Sequence, residues 1–251
     1  MTDLHSHILP EIDDGANSVD ESIDMLKMEL EQGVDSIVFT PHFDIRDITL
    51  DSFFEKREKS FNLLCNHSEF SKLPVSVKKG SEVFFSAELV DTDLSELCIE
   101  GTDYVLIELP CLEEPCNLRR AFATIVNNGF TPIIAHVERY LYITQSPDLL
   151  YDLVSDGCLA QVNAFSIIND SGYAKLICKF IKWGLVHFIS SDCHSVGKRC
   201  PNTASAYQYI EEKLGIEYSN WIKENSDKIF NGKYVNLPVI HKPKKIFGIW
   251  K

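Results

Sequence analysis

The chain has 251 residues, 45% hydrophobic and 24% charged, enough to bury one substantial core and to form one α/β domain spanning 1–251. A formal net charge of −13 excludes a phosphate-backbone binder, because nucleic-acid recognition needs a basic stripe. Eight cysteines are scattered with neither a CxxC pair nor regular spacing, which reads as reduced thiols in a cytoplasmic protein.

The start, Met1-Thr2-Asp3-Leu4-His5, enters a strand-like run directly and lacks the basic and apolar regions of a signal peptide. No apolar run approaches the roughly 18 residues of a transmembrane helix. Strand-like runs rich in Val, Ile and Phe then alternate with amphipathic stretches for seven rounds. In chain order, predicted strands and helices alternate: strand 2–7 and helix 20–32, strand 35–41 and helix 51–66, strand 75–85 and helix 87–97, and strand 104–109 and helix 118–128. The last three rounds are strand 131–136 and helix 147–156, strand 159–162 and helix 173–183, and strand 186–191 and helix 202–214. Gly33, Gly129, Gly157, Gly184 and Gly215 follow helices, where a left-handed cap favours a residue without Cβ. The alternation implies a parallel sheet or barrel. The basic, aromatic stretch 242–251 reads as a solvated or packed tail rather than a membrane contact.

Ligand-type residues collect at the strand ends. His5-Ser6-His7 ends the first strand, and residues two apart on a strand face one side, so both imidazoles can meet one cation. Asp192-Cys193-His194 repeats that geometry after the seventh strand, and His42, Glu82, Glu108 and His136 close or follow apolar runs. Asp13-Asp14-Gly15 adds carboxylates just beyond the first strand. An isolated histidine at such a place is usually a satisfied polar residue. In an α/β barrel, however, the carboxyl ends of the strands converge on one face, where active sites lie. A mixed imidazole and carboxylate set suits Mn, Fe or Zn. His67, His187 and His241 fall outside the pattern and read as structural or surface residues.

In order, His5-x-His7, Asp14, His42, Glu82, Glu108, His136 and Asp192-x-His194 resemble the ligand motifs of the PHP (polymerase and histidinol phosphatase) superfamily. The flanking segments His5-Ser6-His7-Ile8-Leu9-Pro10, Thr40-Pro41-His42, Ala135-His136-Val137-Glu138-Arg139-Tyr140 and Ser191-Asp192-Cys193-His194 resemble the bacterial manganese-dependent tyrosine phosphatases of the CpsB/YwqE type. The resemblance runs from residue 1 to about residue 235 and finds no match for the tail. It implies an α/β fold, a distorted (β/α)7 TIM-like barrel (the PHP fold), with three metals, most simply Mn2+. By resemblance His5, His7, Glu82 and Asp192 hold the first, Glu82 bridges to a second held by Glu108 and His136, and Asp14, His42 and His194 hold the third. It also implies a partner: a phosphotyrosine-bearing tail of a bacterial tyrosine kinase that controls capsule or exopolysaccharide synthesis. Phe43 departs from the family, where many relatives carry histidine or a basic residue, which puts the rim chemistry there in question.

Arg139, three residues past His136, and Arg199, seven past Asp192, should border the rim, and each guanidinium can take two phosphate oxygens. Hydrolysis then proceeds by in-line attack of hydroxide on phosphorus, with no phosphoenzyme. The general acid is not assigned; Asp13 is a candidate. Three rivals remain. Cys193-x5-Arg199 matches the spacing of cysteine-dependent phosphatases, but the alternation that turns Asp192 and His194 to the rim turns Cys193 away. Histidinol phosphate is the alternative substrate within the superfamily, and an inactive binding protein is the alternative class.

Overall fold

The computed structural model describes residues 1–235, 237–246 and 249–250. In chain order the strands are β1 (Thr2–Ser6), β2 (Ser36–Phe39), β3 (His42–Phe43), β4 (Ser76–Lys79), β5 (Glu82–Phe84), β6 (Tyr104–Glu108), β7 (Thr131–Ile134), β8 (Leu159–Asn163) and β9 (Phe188–Ser190). β1, β2 and β4 form one parallel sheet, and β3, β5, β6, β7, β8 and β9 form a second in that order. A parallel bridge between Ser6 and Cys193 joins the last strand to the first: the Asp192 N–H donates to the His5 carbonyl and the His7 N–H to the Cys193 carbonyl, both at 2.9 Å.

β2–β3 and β4–β5 are each one strand interrupted by two residues, so nine segments make seven strands around a distorted barrel. The predicted single strand over 75–85 is therefore broken. The two breaks lie side by side and have local causes. Pro41 has no N–H to continue the ladder. Gly80 passes so close to β2 that a Cβ would lie 3.1 Å from Val38 Cγ1. Buried Arg57 spans the gap, donating to the Gly80 carbonyl, Ser81 Oγ and the Glu96 carbonyl, each at 3.1 Å. Pairing resumes when Glu82 N–H donates to the Pro41 carbonyl at 3.0 Å, which places His42 opposite Glu82.

The helices are α1 (Val19–Glu31), α2 (Leu50–Cys65), α3 (Leu118–Asn127), α4 (Leu141–Gln145), α5 (Asp148–Ser155), α6 (Ala164–Asn169), α7 (Ser171–Lys182), α8 (Thr203–Leu214) and α9 (Ile216–Phe230). The predicted helix over 87–97 is not one. A 3-10 turn covers Ala87–Asp91, and then Asp93 Oδ1 accepts from the Ser95 N–H at 3.0 Å, a local bond that competes with helix propagation. α4 and α6 are too short to carry a periodic signal. α9 is long but polar, and only Gly215 (φ 106°) separates it from α8. Its last turn brings Ile229 and Phe230 onto Leu4, Leu106, Ile133 and Phe188 inside the barrel, while Asp227 accepts from Thr2 Oγ1 at 2.5 Å. α9 thus closes the end of the barrel opposite the strand carboxyl ends.

Of the basic tail, a two-strand hairpin (Lys245–Ile246 with Ile249–Trp250) packs back on the barrel: Trp250 Nε1 donates to the Gln145 carbonyl at 3.2 Å. Phe247, Gly248 and Lys251 lie outside the described residues. All eight cysteines are free thiols. Among the described residues no helix is long and apolar enough to cross a membrane.

Candidate active site

The nine donors come from all seven strand ends but one, and the structure brings them to one face. His5, the end of β1, puts Nε2 3.1 Å from Glu82 Oε2 and 3.4 Å from Asp192 Oδ1. His7 puts Nε2 3.1 Å from the same Glu82 oxygen and 3.2 Å from His5 Nε2. His42 reaches Glu82 Oε2 with Nδ1 (3.2 Å) and Asp14 Oδ1 with Nε2 (3.3 Å). His136 Nε2 lies 2.9 Å from Glu82 Oε1 and 3.6 Å from Glu108 Oε1, and His194 Nε2 lies 3.3 Å from Asp14 Oδ1.

These spacings fit shared cations. Ligands bonded to one ion at about 2.1 Å sit roughly 3.0–3.4 Å from each other. Glu82 Oε2 is within 3.2 Å of three imidazole nitrogens, yet it, like His194 Nε2, is buried with no hydrogen bond of its own. Such orphaned buried atoms suit a bound cation. The donors form overlapping sets: His5, His7, Glu82 and Asp192; His7, Asp14, His42 and His194; and His42, Glu82 and Glu108. His7 and His42 therefore stand between groups that the resemblance kept apart.

The ring tautomers are fixed from behind. His7 Nδ1 lies 2.8 Å from Asp13 Oδ2; a carboxylate only accepts, so Nδ1 carries a proton and Nε2 is the nitrogen left to face a cation in the cluster. His5 Nδ1 likewise meets Gln161 Oε1 at 3.3 Å, and His194 Nδ1 meets the Asp192 carbonyl at 3.0 Å. Gln161 then donates to Asn163 Oδ1 (2.9 Å), and Asn163 donates to Asp192 Oδ2 (2.6 Å). Gln161 Oε1 also accepts the His136 N–H at 2.8 Å, holding that residue at φ 30°. Asp192 too is left-handed, at φ 49°. Two proposed ligands on uncommon backbone are the kind of strain found at functional sites.

Gln161 and Asn163 escaped the sequence analysis because β8 ends in no ligand-type residue. Their signal was the alternation itself, two polar residues on one side of an otherwise apolar strand. The loop carrying Asp13 and Asp14 folds hard onto β1: Ala16 N–H donates to the His7 carbonyl (3.1 Å), and a Cβ on Gly15 would lie 2.2 Å from that oxygen.

Burial disfavours charge on His5 and His7, but the surrounding carboxylates outweigh it and raise both above the ordinary histidine value, His7 strongly. Burial alone would raise Glu82 and Asp192, but the imidazoles hold Glu82 well below its usual range and Asp192 at about 2. Burial lowers His194 to about 4. Glu108 shifts the other way, raised by burial and by the neighbouring Glu82. Glu82 and Asp192 thus concentrate negative charge that a bound cation would balance. Asp13 adds to it: burial opposes its ionisation, but His7 prevails and lowers its pKa, so it is a poor general acid.

Arg199 Nη2 donates to Asp192 Oδ2 at 2.8 Å, and Arg139 Nη1 lies 3.5 Å from the same oxygen. Both remain partly exposed in an open cleft of about 290 Å³ beside the cluster, with donors to spare. Cys193 is fully buried on the other side of its strand, with Sγ 3.7 Å from Glu29 Oε1, and burial pushes its thiol pKa well up. It is neither exposed nor activated. Phe43 also points inward, packed on Phe53 with ring centroids 4.9 Å apart. His187 is buried, and His67 and His241 lie apart from the cluster.

The sequence profile of the family described as capsular polysaccharide synthesis, CpsB/CapC, matches residues 1–231. The chain belongs to the CpsB/CapC family. Within that family, CapC of Staphylococcus aureus is 38% identical to it over 257 residues, covering 99% of this chain and 100% of CapC. The tyrosine-protein phosphatase YwqE of Bacillus subtilis (strain 168) is 30% identical over 257 residues, covering 100% of both. A crystal structure from work on YwqE and on CpsB of Streptococcus pneumoniae, described as unique metal-dependent tyrosine phosphatases, superposes with a TM-score of 0.85 at 29% identity, covering 97% of this chain and 100% of that one. The α/β barrel of this CpsB/CapC chain is thus the fold of those enzymes.

Proposed function

We propose that this chain is a metal-dependent protein-tyrosine phosphatase that acts as one domain over 1–251 in the cytoplasm. The observation that carries this is the approach of Arg139 and Arg199 to Asp192, at the edge of a cluster of nine imidazole and carboxylate donors that is buried at its centre and exposed at Asp14 and His42. Membership of a capsular polysaccharide family supports a substrate in that setting, the phosphotyrosine tail of a bacterial tyrosine kinase.

The donor set suits Mn2+, with Fe and Zn as other candidates. His5, His7, Glu82 and Asp192 would hold one cation, Glu82, Glu108 and His136 a second, and Asp14, His42 and His194 a third. Bound cations supply Lewis-acid stabilisation of the phosphoryl oxygens and a more acidic water. The chain's own residues do the rest. Arg139 and Arg199 grip the phosphate dianion and absorb charge that grows on its oxygens. Asp13 and Gln161 keep His7 and His5 in the tautomer that faces the cluster. The leaving phenolate, of parent pKa about 10, needs little protonation, which agrees with the lack of an assigned proton donor.

Phosphate release from a phosphotyrosine peptide and from histidinol phosphate, by metal-stripped protein with and without Mn2+, tests this. Mn2+-dependent peptide turnover is expected, and Arg139→Ala should keep its metal while kcat/KM falls about 10–100-fold, the worth of a bond to a charged group. Preferential histidinol phosphate turnover, or activity without any metal, would sink the proposal; loss of metal in Arg139→Ala would remove that arginine from phosphate binding.

A further inference from the structure

Phe165 is a large aromatic residue left 38% exposed on the wall of the cleft that holds Arg139, Arg199 and Asp192. The core does not require it there. α6 turns Ala164 and Ile167 inward, and Phe165 with Ile168, three residues on, stays outside. Its position is tied to the phosphate-binding groups, because Asn163, two residues earlier, donates to the same Asp192 oxygen that the arginines approach. Leu141 and Val196, on the neighbouring segments after β7 and β9, are exposed as well, each two residues past Arg139 or His194. Three successive strand ends thus carry exposed apolar residues, and Phe165 is the one that lines the cleft with the guanidiniums.

The charges of the wall point the same way. Lys198 joins Arg139 and Arg199 in lining the cleft, and among the described lining residues the one carboxylate, Asp192, is occupied by Arg199 and Asn163. An alkyl phosphate that carries an ammonium group finds no free counter-charge on this wall, whereas an aromatic ring one bond beyond the phosphate finds a ring to pack on.

We propose that Phe165 is the specificity-determining residue of the site, an aromatic platform that favours aryl over alkyl phosphomonoesters. This rests on the phosphotyrosine reading, and the test separates the two. Competitive inhibition of p-nitrophenyl phosphate hydrolysis by phenylphosphonate, methylphosphonate and inorganic phosphate is measured on the Mn2+-loaded full chain, wild type, Phe165→Ala and Phe165→Tyr, because phosphonates report binding without leaving-group chemistry. In Phe165→Ala the inhibition constant for phenylphosphonate should rise about tenfold while the other two move less than about twofold, and Phe165→Tyr should restore it. Equal weakening of all three would show a merely structural role, and no change in any would place the ring elsewhere; either overturns the proposal. Wild-type turnover of a phosphotyrosine peptide, run alongside, reports on the underlying reading: its absence refutes that reading whatever the inhibition ratios.

Discussion

Removing the Asp13 carboxylate should weaken metal binding without abolishing chemistry. Asp13 makes three bonds: Oδ2 accepts from His7 Nδ1 (2.8 Å) and from the His42 N–H (3.1 Å), and Oδ1 accepts from the Gly15 N–H (2.9 Å). In Asp13→Ala the His42 amide, at the exposed mouth, can turn to water, so the cost concentrates on His7. A hydrogen bond to a charged group is worth about 1.5–3 kcal/mol. That converts to roughly 10–100-fold, the range usual for an outer partner of a ligating histidine. The assay is phosphotyrosine-peptide turnover by metal-stripped protein as Mn2+ is titrated. The Mn2+ midpoint should rise about 10–100-fold, with kcat recovered within severalfold at saturation. An unmoved midpoint with kcat lost would refute the reasoning, and would return Asp13 to the role of proton donor.

Cys193→Ser should keep kcat/KM within about threefold, since the thiol faces Glu29 and no covalent intermediate uses it; loss of turnover with metal retained would revive the thiol mechanism. His187 is fully buried, its Nε2 has no partner, and burial pushes its pKa down to about 3. The folded state therefore holds it neutral while the unfolded chain takes up a proton below about 6.5, so its contribution is complete above that pH and is lost as pH falls toward 3. Urea unfolding at several pH values between these limits should show a slope shallower by about 1.4 kcal/mol per pH unit in His187→Gln, and an identical slope would discard the assignment.

Much of the architecture was legible because its signals are local. The period of the apolar runs and the glycines after helices marked β1, β2, β6, β7, β8 and β9 and most helices within a residue or two. The rule that strand carboxyl ends converge is enough to gather His5, His7, His42, Glu82, Glu108, His136, Asp192 and His194 at one rim from the sequence alone. The helix expected over 87–97 failed because the Asp93–Ser95 bond competes locally with a pattern that looked helical. α9 was invisible because its buried face is partly polar (Ser219, Asn225, Ser226) and becomes a core face only when the barrel end is there to receive it.

The sequence by itself determined which residue types stand at which strand ends, since that depends only on alternation along the chain. Tertiary structure alone decided the rest. The side-by-side alignment of the unpaired Thr40–Pro41 and Gly80–Ser81 sets the break after which His42 stands opposite Glu82. The tautomers of His5 and His7 depend on Gln161, 156 residues away, and on a loop that folds back onto β1. Whether Phe165 borders the arginines depends on how β7, β8 and β9 stand side by side. Such contacts form only once the barrel closes, and no period or spacing along one strand records which strands will become neighbours.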